Sequence, residues 1–478
     1  MGRRHRRPSG PIGGWRERGT RRVAVIAVVV AVLAGLFGAV ALASPTTRAQ
    51  LGLGAPAASA YPPVPIPELG PLAPTAPVPT RSGLDKVLAG PASAPELGNL
   101  SGVVLDSSAP RGSAPLWQRG QNEGMVPGSV TKLLTAAATL LSLNPTDRLA
   151  TTVVPGPTPD SVVLVGGGDP SLTALPVGKN SVYPEPARID DLAEQVKKAV
   201  GRPITTVYTD TSLWTGPELA RSWDPADVGT GDVAPMTALM LDGGRTDPTI
   251  QDGPRSDDPA AAAGKAFADA VGAQNVEPGR AAANSPTLGS VSSPPIASLI
   301  EYMLTASDNV TAEAMARQVA ISRQGDPSFD GAAKEVSAAL SQAGYATSGL
   351  VLNDGSGLSP DNRITTSLLG SVLASASAVS QNPNDVQYLR PILTGLPVAG
   401  GGGTLADRFT DGRSIAGRGV VRAKTGTLSG ASSLAGVVSD VDGRLLVFAF
   451  ISNGTSPADA RPKLDAIAAA LSRCGCRS

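Results

Sequence analysis

Ser129 and Lys132 stand three residues apart in Pro127-Gly128-Ser129-Val130-Thr131-Lys132, just before an apolar run over residues 133–143. The Pro-Gly pair punctuates the chain, and the Ala- and Leu-rich run after it favours helix. A helix starting at Ser129 puts Lys132 one turn on, on the same face. A hydroxyl, an amine and the positive end of a helix dipole then share one small volume, which suits a serine nucleophile with a lysine base. An N-cap serine beside a solvated lysine is the competing reading, and Ser-x-x-Lys is too common by chance for this motif alone to decide.

The only histidine is His5, in an Arg-rich tail. A Ser-His-Asp or Cys-His site beyond that tail is therefore excluded, and lysine is the available base. Only nine of the 40 Lys and Arg residues are lysines, so a lysine within a motif is less readily filler.

Two later stretches offer what such a site needs. Ser307-Asp308-Asn309 lies between two apolar helical segments and places a hydroxyl and an amide at alternate positions. Taken alone it reads equally as a helix N-cap. Lys424-Thr425-Gly426-Thr427 sits on a strand pattern that puts Arg422 and Lys424 on one face. Gly426 lets a ligand backbone approach closely, although an edge strand with a solvated lysine has the same pattern.

In chain order, Ser129-x-x-Lys132, Ser307-x-Asn309 and Lys424-Thr425-Gly426 match the signature of penicillin-binding proteins and serine β-lactamases. More narrowly, the chain resembles the type-4 (class C) penicillin-binding proteins, the D-alanyl-D-alanine carboxypeptidase/endopeptidase family (peptidase S13). From Ser129 to Ser307 is 307 − 129 = 178 residues, more than a β-lactamase fold needs, and that family carries extra domains in this gap. Further stretches share the likeness: residues 167–172, 239–243, 352–359, 396–400 with 403–405, and 423–430. The insertion is shorter than in the longer members, which implies a reduced or missing subdomain.

The resemblance implies a serine D-Ala-D-Ala carboxypeptidase acting on peptidoglycan stem peptides through a Ser129 acyl-enzyme, with β-lactams as inhibitors and endopeptidase action on cross-links as a further activity. It makes Ser129 the nucleophile and Lys132 its base, the lysine's proton affinity lowered by burial and by Lys424. Ser307 relays a proton and Asn309 orients the acyl side chain. Lys424 and Thr425 hold the terminal carboxylate beside Gly426, and the backbone N–H groups of Ser129 and Thr427 form an oxyanion hole. No metal and no cofactor are expected. The alternatives are a β-lactamase-like hydrolase, for which no deacylating base is assignable, and a catalytically silent wall-binding protein. Intact Ser129, Lys132, Ser307 and Lys424 argue against the second.

The elements that must position these residues come from 478 residues, room for two or three domains. The first 22 residues carry eight Arg and one Glu, a charge of +7, so the remainder of this neutral chain is −7 and shows no basic face for nucleic acid. Residues 23–43 are uncharged and, at ~1.5 Å per residue, long enough to cross a bilayer as a helix. The basic tail then stays cytoplasmic and the rest lies outside, in the cell envelope. Ala41-Leu42-Ala43 resembles a signal cleavage site, yet the run exceeds the usual ~7–15 residues of a signal core, which favours a membrane anchor. Residues 44–81 read as a Pro/Ala-rich linker.

The fold class expected is α+β: an antiparallel sheet flanked by helices with a helical subdomain near Ser307, which the resemblance makes a β-lactamase/transpeptidase-like domain. Its expected bounds are 82–148 and 290–478, with 149–289 inserted. Helices are expected near 84–88, 129–143, 189–200, 259–271, 294–304, 310–321, 329–343, 365–378 and 458–474. Strands are expected near 101–105, 116–119, 149–154, 161–165, 204–209, 350–352, 420–423, 431–440 and 444–452. Gly166-Gly167-Gly168-Asp169-Pro170 lacks the Gly-Lys-Ser/Thr of a phosphate loop and reads as a tight turn, where Asp169 either caps the turn or recognises a cationic stem group. Cys474 and Cys476 are too near the chain end to staple the core, and a bridge across so short a spacing is strained.

Overall fold

A run as apolar as Leu445–Asn453 can be a strand only if both its faces are covered. In the computed structural model they are. Leu445, Val447, Ala449 and Ile451 face one hydrophobic core, while Leu446, Phe448 and Phe450 face another. The structure describes residues 76–378 and 387–477. The predicted basic tail, the apolar segment 23–43 and most of the linker lie outside the described residues. Among those described, no helix is long and apolar enough to cross a membrane.

In chain order come α1 (Arg81–Leu88), β1 (Asn99–Asp106), β2 (Trp117–Arg119) and α2 (Thr131–Ser142). Next are β3 (Ala150–Pro155), β4 (Ser161–Val165), α3 (Ile189–Val200), β5 (Thr206–Asp210), α4 (Pro259–Val271), β6 (Asn275–Pro278) and β7 (Gly289–Ser292). Four longer helices follow: α5 (Ile296–Ala306), α6 (Asn309–Ser322), α7 (Phe329–Gln342) and α8 (Thr366–Ser377). β8 (Val421–Leu428), β9 (Ala431–Ser439), β10 (Leu445–Asn453) and α9 (Pro457–Ser472) close the chain.

The first sheet has the order β2-β1-β10-β9-β8 and is antiparallel throughout. One face packs on α1 and α9 through Leu84, Leu88, Leu464 and Ile467. The other packs on α2, α6 and α8 through Leu133, Val310 and Leu369. α6 is buried from Val310 to Ala320 on every side. Its alanines, with Ala136, Ala137 and Ala138 of α2, let the two helices sit together beneath the sheet. The second sheet, β6-β5-β4-β3-β7, draws all its strands from the stretch between Ser129 and Ser307 and is mixed: β4, β5 and β6 are parallel, while β3 pairs antiparallel with both β4 and β7. α3 and α4 cover it through Leu192, Val196 and Phe267.

Two expectations need correction. The helix expected from Ser129 begins as α-helix only at Thr131, because Gly128–Val130 forms a 3₁₀ turn. Residues 350–352 make a single bridge, Val351 with Arg363, rather than a strand. Cys474 and Cys476 are joined in a disulfide, their Cα atoms 5.0 Å apart.

Candidate active site

The turn carrying Ser129 is pressed against β8. Gly128 has φ 59°, and a Cβ there would sit 2.7 Å from the Thr427 nitrogen. A Cβ on Gly426 would collide with Ser433 Oγ and lie 3.1 Å from the Ser129 nitrogen. Two backbones this close need glycine on both sides, and the Ser129 and Thr427 amides then flank one gap. Ser433 Oγ donates to the Pro127 carbonyl at 2.6 Å, pinning the turn to β9. Ser129 is not an N-cap: the turn has no side-chain cap.

Lys132 lies 0% exposed on the first turn of α2. Its Nζ is 3.0 Å from Ser129 Oγ, 2.6 Å from Asn309 Oδ1 and 2.8 Å from the Ser356 carbonyl. Burial lowers its pKa to about 8, against the opposing pull of the Asp354, Asp308 and Glu313 carboxylates.

Lys424 is also fully buried, so the solvated edge-strand lysine is excluded even though β8 is an edge strand. Its Nζ donates to Ser307 Oγ at 2.8 Å and to the Thr425 carbonyl at 2.9 Å. Burial, and then the charge of Lys132, push its proton affinity far down. The repulsion between the two ammoniums is mutual and favours loss of a proton from the pair, while the Asp354, Asp308 and Glu313 carboxylates oppose that loss at Lys132. Ser307 ends α5 in the left-handed conformation at φ 60°, a strain of about 1–3 kcal/mol for a residue with a side chain.

Asn309 Nδ2 donates to the Asp232 carbonyl at 2.9 Å, so this side chain touches both Lys132 and the stretch between the motifs. Asp308 takes the N-cap role, accepting from the Thr311 N–H at 2.7 Å. Cap and cleft thus coexist on neighbouring residues. Burial pushes the Asp308 carboxyl up, but the Arg245 and Arg255 guanidiniums and the Thr311 N–H more than offset this and hold it well below the carboxylate range. Thr404 and Thr425 hydroxyls meet at 2.8 Å, and Arg461 of α9 donates to Thr427 Oγ1 at 2.8 Å.

Ser129, Ser307, Asn309, Thr425 and Thr427 line one cleft of about 400 Å³ with Arg255, Arg408 and Arg461. The two lysines stand buried behind it. A larger cavity of about 820 Å³ lies elsewhere, around the β1–β2 connection and the end of α2, and contains none of the motif residues. Asp169 is buried in its turn, Oδ1 accepting from Ser171, and does not line the cleft. Among the described residues no group of His, Cys, Asp and Glu could hold a metal ion.

The family profile described as the D-Ala-D-Ala carboxypeptidase 3 (S13) family matches residues 84–256 and 251–474. The chain belongs to this family of serine-type D-Ala-D-Ala carboxypeptidases. It is 44% identical over 471 residues to a carboxypeptidase DacB of Mycolicibacterium smegmatis, covering 95% of this chain and 98% of that one. Among solved structures, penicillin-binding protein 4 (dacB) of Haemophilus influenzae superposes with a TM-score of 0.64 at 20% identity, covering 82% of this chain and 98% of that one. The same protein in complex with a β-lactam gives 0.59 at 19%, with the same coverage. These likenesses carry the α+β fold.

Sequence reasoning missed Arg245, Arg255, Glu313 and Arg461, and it flagged the stretch 403–405 without giving Thr404 a role. One signal was available for Glu313: it follows Asn309 by four residues and so shares its helix face. Nothing local marks the arginines.

Proposed function

We propose that Ser129 is the nucleophile and Lys132 its general base in hydrolysis of the D-Ala-D-Ala bond of peptidoglycan stem peptides. One observation carries this reading: a fully buried lysine amine 3.0 Å from a serine hydroxyl that lines a cleft. Ser129 Oγ attacks the scissile carbonyl as Lys132 Nζ takes its proton. Ser307, 2.8 Å from Lys424, gives its proton to the leaving D-alanine nitrogen and is reprotonated with the proton Lys132 took, so that the relay closes. The Ser129 and Thr427 amides stabilise the oxyanion, a contribution typically worth ~10²–10³ in rate per donor. Lys424, Thr425 and the nearby Arg461 favour the free terminal carboxylate, with Gly426 allowing close approach, and Asn309 orients the acyl side. Water then releases the acyl-enzyme.

β-Lactams acylate the same serine, a reading supported by the β-lactam complex of the Haemophilus influenzae relative. The site faces the cell envelope, beyond an N-terminal anchor at residues 23–43. Residues 82–148 and 290–478 make up the D,D-peptidase domain and 149–289 the insertion. Cross-linked peptides are a further substrate class for the same acyl transfer. The test is a labelled penicillin together with D-alanine release from a pentapeptide. Wild type is expected to form a stable adduct and release D-alanine, and Ser129→Ala to do neither. An equally strong adduct on Ser129→Ala overturns the assignment.

A further inference from the structure

A base needs a lone pair aimed at the proton it removes. A neutral lysine amine has two N–H bonds and one lone pair. Two of the three oxygens around Lys132 Nζ, Asn309 Oδ1 and the Ser356 carbonyl, can only accept. Once the amine is neutral they take both N–H groups, and the lone pair is left facing Ser129 Oγ. Without the Ser356 carbonyl, the amine is free to turn and donate to the serine instead.

That carbonyl lies 224 residues from Lys132 in sequence, so another part of the fold must hold it. Glu313 does so. Its Oε1 accepts the Ser356 N–H at 2.7 Å and the Gly355 N–H at 3.0 Å. Thr135 Oγ1 of α2 donates to the Gly355 carbonyl at 2.6 Å. Asp354 closes the turn from within, accepting from the Gly357 and Ser359 N–H groups. Glu313 is four residues after Asn309 on α6, so one helix face supplies Lys132 with one acceptor directly and another through the turn.

Glu313 and its neighbour Arg317 are both buried. Arg317 Nη1 is 3.9 Å from Glu313 Oε2, and its guanidinium has no hydrogen-bond partner among the described residues. It is instead stacked 4.0 Å from the Phe329 ring centre and 5.1 Å from that of Trp214. The charged groups acting on Glu313 are Arg317 from its own helix, Asp354 from the turn and Lys132 from α2. Those acting on Lys132 also include Asp308, with the Lys424 charge close by.

We propose that Glu313 is a positioning residue: through the Gly355 and Ser356 amides it holds the Ser356 carbonyl against Lys132, directing the lysine lone pair at Ser129, with Arg317 as its counter-ion. The inference rests on the Ser129–Lys132 reading above. It predicts that Glu313 shapes the base without touching substrate.

The experiment uses the full chain. Acylation by a fluorescent penicillin is followed across pH, with kcat and KM for a D-Ala-D-Ala peptide and thermal unfolding. In Glu313→Gln the amide oxygen can still take both turn N–H groups, but the negative charge is gone. Burial raises the Glu313 pKa to about 7, so above that pH the variant lacks a charge that held the proton on Lys132, and the upper part of the rising limb of acylation is expected to move to lower pH, with KM unchanged. Glu313→Ala frees the turn, and acylation is expected to fall about 10- to 100-fold at every pH, the loss typical of a misplacement of about an ångström. A Glu313→Ala protein that unfolds cooperatively and acylates at the wild-type rate overturns the proposal. So does an unmoved limb in Glu313→Gln, which decides alone if the alanine variant does not fold. Wild type that takes no label overturns the Ser129 reading and this inference together, whereas labelled wild type with indifferent variants removes only this one.

Discussion

Asp308 and Arg245 meet at 2.8 Å with both side chains at 0% exposure. Asp308 is the middle residue of the second motif, and Arg245 comes from the stretch between the first two motifs. Tyr183 from that stretch adds a hydrogen bond to Asp308 at 3.2 Å, and Arg255 approaches to 3.9 Å. The stretch around the second sheet is thus bound to the machinery through a closed ion pair.

Removing one partner of such a pair strands the other. Arg245→Met is expected to cost about 3–5 kcal/mol of stability in denaturant unfolding, and Asp308→Asn in the same chain to recover part of it. The pH dependence follows from the depressed Asp308 pKa. The pair's contribution is present above the unfolded carboxylate pKa of about 3.9 and is lost as pH falls through the lower folded value. The stability gap between wild type and Arg245→Met should therefore narrow in acid. A constant gap would count against the ion pair.

Lys132 must be neutral to act as the base. With its pKa near 8, about one molecule in ten is competent at pH 7. Penicillin acylation is expected to rise about tenfold per pH unit below that value and to level off above it. Lys132→Met is expected to slow acylation by about 10²–10⁴-fold and to abolish this limb. Stopped-flow labelling across pH checks both, and a flat profile in wild type would remove lysine as the base.

Thr425, proposed to hold the terminal carboxylate, meets the Thr404 hydroxyl at 2.8 Å. Thr425→Val removes a hydrogen bond to a charged group, worth about 1.5–3 kcal/mol. The expected result is a drop of about 10- to 100-fold in kcat/KM on a peptide with a free terminal carboxylate. The corresponding terminal amide, already a poor substrate, should lose much less. Equal losses on acid and amide would place the carboxylate elsewhere.

Gly128 is constrained twice, by its φ of 59° and by the approach of the Thr427 nitrogen. Gly128→Ala is expected to lower stability by about 1–2 kcal/mol from the backbone conformation, and to slow acylation by more than that stability loss would suggest, because the Ser129 and Thr427 amides are pushed apart. Gly90→Ala, at a helical φ of −72° and with nothing within 4 Å of the new methyl, serves as the control and should leave acylation unchanged and raise stability by about 0.4–1 kcal/mol.

Much of this protein was legible in residue order. The apolar run over residues 444–452 announced a strand, and the two helices flanking Ser307 were readable from their apolar runs. Residues 350–352 misled because a short apolar triplet looks like a strand whatever its neighbours, and here its neighbours form a turn held by Glu313 and Asp354. The N-cap reading of Ser129 failed because local propensity cannot register that the turn Gly128–Val130 packs against β8 and takes 3₁₀ geometry.

The sequence by itself determined the chemistry. With its one histidine at position 5, lysine was the available base for a serine nucleophile, and three motifs in order nominated the residues. Tertiary structure decided whether those residues could work together. Burial removes water from the Lys132 ammonium and lowers its pKa, and its amine meets groups 177 and 224 residues away. Proton affinity and lone-pair direction depend on distances of a few ångströms through space, and spacing along the chain does not encode them.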